Sequence, residues 1–220
     1  MSKRLHKMYS SYSTETTYVR NTSDPNSKIS MVAFSKIHIT SYNMLYDQLK
    51  SAKSEDDFKW LNASIIIMAV SSIEARINEV LSYEILLDRD KEFPELGDLK
   101  KRERDLDVKS KWNELAKILA RKEWNSGKEP YQSYMHIKSL RNEIVHFKAN
   151  FMPINKAPNE KITFIIDKLN FKNKKSSKVQ NSANWVDSIL CKKDLGIWVV
   201  DIMTDLQREI EDNFTTPQIR

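Results

Sequence analysis

The chain has 220 residues, of which 40% are hydrophobic and 30% are charged, and its formal net charge is +6. This composition supplies a hydrophobic core beneath a charged surface, which is typical of a soluble protein. Only three glycines are present, which argues against phosphate sites built on glycine-rich loops and favours an all-α fold.

Composition and charge also indicate where in the cell the protein is located and what kind of partner it binds. No apolar run approaches the roughly 20 residues that cross a bilayer, and the single cysteine, Cys191, cannot form an internal disulfide. We therefore expect a cytoplasmic protein without membrane contact, in which Cys191 is a small interior residue. The positive charge hints at a polyanionic partner, although solubility alone also explains it.

The first third of the chain begins with a polar segment and continues into two predicted helices. Residues 1–30 are rich in Ser, Thr and Tyr and are predicted to form a flexible arm ahead of one helical domain over residues 31–215. Apolar spacing predicts the first helix over 34–49. Ser54 and Asp57 are spaced as a helix cap, and they open the longest predicted helix, over 56–87. That helix is apolar around most of its girth, as the central helix of a bundle is.

The remaining elements are shorter. Residues 88–109 mix both charges densely and are interpreted as a solvated connection. A helix is then marked by Trp112, Leu115 and Leu119, and Pro130 suits the first turn of the next helix, which is predicted to continue to Met152. Residues 161–167 are predicted to be a strand within a small strand-and-loop insertion around 155–180, and a closing helix is predicted over 194–212.

The segment from Ser139 to Phe147 brings an arginine, an amide and a histidine together near the end of the helix that follows Pro130. One narrow stripe of that helix is predicted to face the core, and it holds the apolar residues Ile137, Leu140, Ile144, Phe147 and Phe151. Asn142 and His146 project from the opposite side, and Arg141 lies about 140° from His146. Either the arginine side chain wraps around the helix, or a second copy of the helix supplies the partner group.

Arg141-Asn142-x-x-x-His146 resembles the R-N-x-x-x-H signature of the HEPN (higher eukaryotes and prokaryotes nucleotide-binding) superfamily, and the segment from Ser72 to Leu81 is similar to the core helix of the same family. The resemblance covers residues 34 to 213. It implies an up-and-down bundle of four or five helices, with the motif near the end of a late helix. Many members are metal-independent endoribonucleases of toxins, abortive-infection factors and RNA-directed immune effectors. They generally act as dimers whose paired motif helices build one composite site.

The resemblance assigns a role to each motif residue. His146 matches the catalytic histidine, and an imidazole can take or give a proton near neutral pH. Arg141 matches the family arginine, whose permanently charged guanidinium can bind a phosphate at two points. Asn142 is an orienting group. Because RNA carries its own nucleophile, the 2′-OH, cleavage would leave a 2′,3′-cyclic phosphate and a 5′-hydroxyl without a metal.

Structural interpretations of the same residues stay open. His146 is alternatively a surface residue near a helix C-terminus, and Arg141 alternatively pairs with a nearby carboxylate. Some members of the superfamily act as binding or scaffold modules, so a non-catalytic helical module is the alternative function. A DNA-binding regulator is disfavoured, because the sequence has no short helix-turn-helix unit with a basic recognition helix.

The remaining candidate residues give weaker signals. Glu74, on the long helix, either supports the site or forms a salt bridge. RNA phosphate contacts are predicted at four lysines: Lys138, Lys148, Lys174 and Lys175. Stacking on RNA bases is predicted for Tyr131 and Tyr134. A solvated surface explains the lysines equally well. His136 precedes His146 by a spacing that is not that of a metal pair, so we expect no metal and no cofactor. The implied partners are RNA, a second copy of the chain through the motif helix, and an antitoxin or regulatory protein.

Overall fold

The computed structural model describes residues 16–20, 28–86, 89–121, 123–146, 160–169 and 189–214. Within these residues the fold is an all-α helical bundle, as predicted, with one β-hairpin ahead of the helices. The helices in chain order are α1 Phe34–Ser51, α2 Glu55–Leu86, α3 Pro94–Lys101, α4 Val108–Ala120, α5 Tyr131–Val145, α6 Glu160–Lys168 and α7 Lys193–Phe214. A 3-10 turn at Arg89–Lys91 lies between α2 and α3.

The hairpin lies mostly within the predicted N-terminal arm. Strand β1, Thr16–Arg20, pairs antiparallel with strand β2, Lys28–Val32, so that Thr16 is opposite Val32. The other residues of the predicted arm lie outside the described ranges. The sequence predicted a flexible arm here because Ser, Thr and Tyr dominate the segment, and the short alternation of Lys28, Ile29, Ser30 and Met31 in β2 is the strand signal that this composition obscured.

Helix α2 begins where its capping signature predicts. The backbone N–H of Asp57 donates to Ser54 Oγ at 3.0 Å, and the acidic side chains of the first turn suit the positive end of the helix dipole. Apolar side chains are buried along its whole length: Leu61, Ile65, Ile66, Ala69, Val70, Ile73, Ile77, Val80 and Leu81. The helix is therefore a core element, as predicted.

By length and composition alone, α2 is also able to cross a membrane, with a mean hydropathy of 1.3 over its most apolar window. This corrects the expectation that no segment approaches a bilayer span. Since 56% of that window is buried inside the structure, and since the core helix of a soluble protein has the same properties, the observation is weak evidence for a membrane.

The chain divides into two compact units that interleave along the sequence. The first comprises residues 1–37, 71–126 and 207–220, and the second comprises residues 38–70 and 127–206. In the first unit, the rings of Trp112 and Trp124 stack with centroids 4.0 Å apart, and Trp124 Nε1 donates to Glu209 at 2.7 Å. The buried carboxylate of Glu79 accepts the backbone N–H of Ser35 at 2.8 Å and also the Ser35 hydroxyl, which satisfies donors in the first turn of α1.

In the second unit, α2 and α7 approach closely at Gly196. A Cβ atom built on Gly196 would overlap both Asn62 Oδ1 and Leu49 Cδ2. Asn62 is fully buried, and its Nδ2 donates to the carbonyl oxygens of Leu190 at 2.7 Å and Lys192 at 2.8 Å. One side-chain amide thus satisfies two carbonyls just before α7, and the missing side chain of Gly196 leaves room for it.

Three sequence predictions were wrong in detail. The predicted strand over 161–167 is helix α6, whose buried residues Ile162 and Ile165 are three apart, so its periodicity is helical. The predicted solvated connection over 88–109 contains helix α3, which buries only Leu96 and Leu99 among many charges. The motif helix ends at Val145 rather than near Met152.

Candidate functional site

The motif occupies the last turn of α5, and its polar residues avoid the core as predicted. Ile137 and Leu140 are fully buried, whereas Asn142 and His146 are exposed. Ile144, the third predicted member of the core stripe, is half-buried, and the last two members, Phe147 and Phe151, lie outside the described residues. The end of α5 therefore presents an amide and an imidazole to solvent on the face opposite the core.

Asn142 connects the two other motif residues. Its side-chain Oδ1 accepts a hydrogen bond from Arg141 Nη1 at 3.2 Å, and its backbone carbonyl accepts the N–H of His146 at 2.9 Å. The guanidinium of Arg141 therefore lies against the side chain of Asn142, the next residue of the helix.

His146 follows the last residue of α5 as its C-cap, with φ −102° and ψ 24°. Its imidazole makes no hydrogen bond or ion pair with any residue in the part of the chain that the structure describes. Its neighbour Val145 is 48% exposed, one of the few large apolar side chains on the surface. An exposed imidazole can exchange a proton with a bound phosphodiester, and a guanidinium can offset the negative charge that develops on it.

The remaining predicted site residues are spread over the molecule. Glu74 is half-buried on α2 in the first compact unit. Lys138 is half-buried on α5. Lys148, Lys174 and Lys175 lie outside the described residues, so the predicted RNA contacts there stay predictions.

The two tyrosines and the cysteine lie in the interior. Tyr131 is 2% exposed and Tyr134 is fully buried, so the prediction that they stack on RNA bases is wrong. Both lie in the first turn of α5 on the side that faces the core. Burial of an aromatic ring among apolar neighbours is more favourable there than its exposure for contact with RNA bases. Cys191 is buried, as predicted.

Sequence reasoning missed a polar cluster at the other end of α5. The Glu129 carboxylate accepts the hydroxyl of Ser133 at 2.8 Å and its backbone N–H at 3.1 Å. Lys168 of α6 forms an ion pair with the same carboxylate and also donates to Ser133 Oγ at 3.0 Å. Burial raises the pKa of Glu129, but the hydrogen bonds from Lys168 and Ser133 outweigh it and hold that pKa below its ordinary value.

A second contact between α5 and α6 is aromatic. The His136 ring stacks on Phe164 with centroids 3.9 Å apart and planes inclined by 12°. Burial lowers the pKa of His136, and the charges of Lys161 and Lys168 act in the same direction, against a hydrogen bond with the Lys161 backbone and the charge of Glu129. The signal in the sequence was the spacing of Ser133 and His136, three residues apart on one side of α5, with the acidic residue Glu129 just before the helix.

In the described ranges, no group of three or more His, Cys, Asp or Glu side chains is placed to hold a metal ion. Comparison of the chain with protein-family models, with curated proteins and with solved structures finds no match. The function is therefore inferred from the motif, its geometry and its exposure.

Proposed function

We propose that the chain is a metal-independent endoribonuclease of toxin or anti-phage type, and that its site is formed by Arg141, Asn142 and His146. The observation that carries this proposal is the exposed imidazole of His146 at the end of a helix where Asn142 also holds the guanidinium of Arg141. The resemblance of these residues to the HEPN signature supports the same function.

The reaction uses the nucleophile of the substrate itself. The 2′-OH attacks the adjacent phosphorus, its proton passes to a base, and the 5′-oxygen leaves with a proton. This forms a 2′,3′-cyclic phosphate on one fragment and a 5′-hydroxyl on the other. His146 exchanges the protons, and Arg141 binds the non-bridging oxygens as negative charge develops on them.

Asn142 is a positioning residue in this scheme. By accepting from Arg141 Nη1, it fixes a long side chain that otherwise samples many rotamers, so less entropy is lost when phosphate binds. Its backbone carbonyl anchors the turn that carries His146. The Asn142 side chain therefore acts on the phosphate-binding group, whereas the bond to His146 is the ordinary backbone hydrogen bond at the end of the helix.

The defining experiment uses RNA substrates matched except for the sugar at the scissile position. We expect products with a 2′,3′-cyclic phosphate or 3′-phosphate end and a free 5′-hydroxyl, and we expect cleavage to continue in EDTA. A substrate with a 2′-deoxy sugar at that position should bind but not react. Cleavage that requires Mg²⁺, or that survives the 2′-deoxy change, would exclude the mechanism.

A dimer through the end of α5 is part of the proposal. Val145 is exposed beside His146, and a two-fold axis at this face would place two motif helices against each other. A Val145→Glu change should shift the protein from dimer to monomer in sedimentation at micromolar concentration, because the dimer would bury like charges. The control, Gln132→Glu, alters an exposed residue of the same helix and should leave the sedimentation unchanged. A wild-type monomer would contradict the dimer.

A non-catalytic binding module is the second candidate. The hydrogen bond between Arg141 and Asn142 is its supporting observation, because such a bond also serves to shape a docking surface. If a correctly folded dimer cleaves none of a broad set of RNAs but retains RNA or a protein partner through this face, the module is the better assignment.

A further inference from the structure

Helix α6 packs on α5, and two contacts on the surface between them involve ionisable groups. At one end, Lys168 of α6 binds Glu129 and Ser133, which precede and begin α5. Further along, Phe164 of α6 stacks on His136 of α5. We call this pair of residues, His136 and Phe164, the α5–α6 latch.

The surroundings of His136 suit a neutral ring. Its Nδ1 atom is buried and has no hydrogen-bond partner among the described residues. An added proton on that atom would create a buried N–H donor without an acceptor among the described residues. The same proton costs nothing of this kind when the ring is in water, where the N–H donates to solvent.

The neighbouring charges act in both directions. Lys161 and Lys168 of α6 repel a protonated His136, and Glu129 attracts it. Glu129 is itself engaged by Lys168 and Ser133, which limits its influence on the imidazole. Helix α7 contributes the Trp198 ring, whose centre lies 5.9 Å from Lys168 Nζ, and an indole ring does not titrate.

We infer that the α5–α6 latch is a pH-sensitive device: α6 stays docked on α5 while His136 is neutral and loosens when His136 is protonated. Because the pKa of His136 is lowered in the docked state, the stabilising contribution is complete above the ordinary imidazole pKa of about 6.5 and is lost as the pH falls below it. The device lies in the helix that ends at the motif, but it does not depend on RNA cleavage.

The test is amide hydrogen exchange of the full chain at pH 7.5 and pH 5.5, corrected for the intrinsic pH dependence of exchange. In the wild type we expect protection of the α6 amides to fall at the lower pH relative to the amides of α7, by at most about tenfold, which is the limit for one imidazole of ordinary pKa about 6.5 that binds no proton while α6 is docked. In His136→Phe, which keeps the aromatic stack and cannot be protonated, the ratio should not change.

A second variant tests the electrostatic part and does not alter the stack. Lys161 is exposed and contacts His136 through its backbone, so Lys161→Gln keeps that bond and removes one repelling charge. The fall in α6 protection should then be smaller than in the wild type. The inference is overturned if α6 protection falls no more than that of α7, if His136→Phe keeps the fall, or if Lys161→Gln leaves its size unchanged.

Discussion

Replacing His146 by alanine should lower the rate of RNA cleavage by about 10²–10⁴-fold, which is the usual contribution of a general acid or base. The residue is exposed and caps its helix only through its backbone, so the thermal midpoint should change little. The measurement is single-turnover cleavage of one defined RNA, beside circular dichroism of both proteins. A rate within twofold of the wild type would show that His146 transfers no proton.

Two further variants make this result specific. Arg141→Lys keeps a positive charge but loses the planar two-point contact with phosphate and the geometry of the bond to Asn142, so it should also cleave poorly. Gln132→Ala changes an exposed residue of the same helix and should cleave at the wild-type rate. If Arg141→Lys cleaved RNA as fast as Gln132→Ala, Arg141 would act by general attraction of its positive charge for phosphate and not by a two-point contact.

Gly196→Ala should destabilise the protein by about 1–2 kcal/mol, measured by urea unfolding. The new methyl group would overlap Asn62 Oδ1 and Leu49 Cδ2. Both side chains are fully buried, and the Asn62 amide is held by two carbonyl groups, so neither moves freely. Alanine stabilises a helix by about 1 kcal/mol relative to glycine. The variant is destabilised because the steric cost of the overlap is larger than this gain.

Gly97→Ala is the matched control for this substitution. Gly97 lies inside helix α3, and a Cβ atom there would have no neighbouring atom within 4 Å. The same chemical change should therefore stabilise the protein by about 0.5–1 kcal/mol, the gain in helix propensity alone. Equal effects at the two positions would mean that the approach of α2 and α7 is loose enough to accept a methyl group.

The long helices were predictable because their signals are local and redundant. For α2, Ser54 and Asp57 marked the start, and a run of apolar residues filled the helix beyond it. Residues 161–167 were mistaken for a strand because Ile, Thr and Phe favour strands in isolation. Burial of Ile162 and Ile165, three residues apart, decided for a helix instead, and that burial depends on packing partners that the propensity of the segment alone does not contain.

The candidate site was predictable in its positions but not in its arrangement. Helical periodicity placed Asn142 and His146 on the outer face, where the structure has them. The path of the Arg141 side chain depends on rotamers that a sequence pattern does not determine. The buried tyrosines were misjudged for a related reason, since an aromatic residue at a helix start is equally compatible with core and surface until its neighbours are known.

The two hydrogen bonds of Asn62 have a consequence for biosynthesis. They join Asn62 to carbonyl groups 128 and 130 residues later in the chain. At typical synthesis rates the ribosome needs on the order of 10 s to cover that distance. During this interval α2 has been synthesised, but the later residues that bond to Asn62 have not. The apolar side chains of α2 are therefore exposed on the nascent chain, where chaperones can bind them and where they favour aggregation. The yield of folded protein should therefore respond to translation speed and chaperone supply more than the stability of the finished molecule suggests.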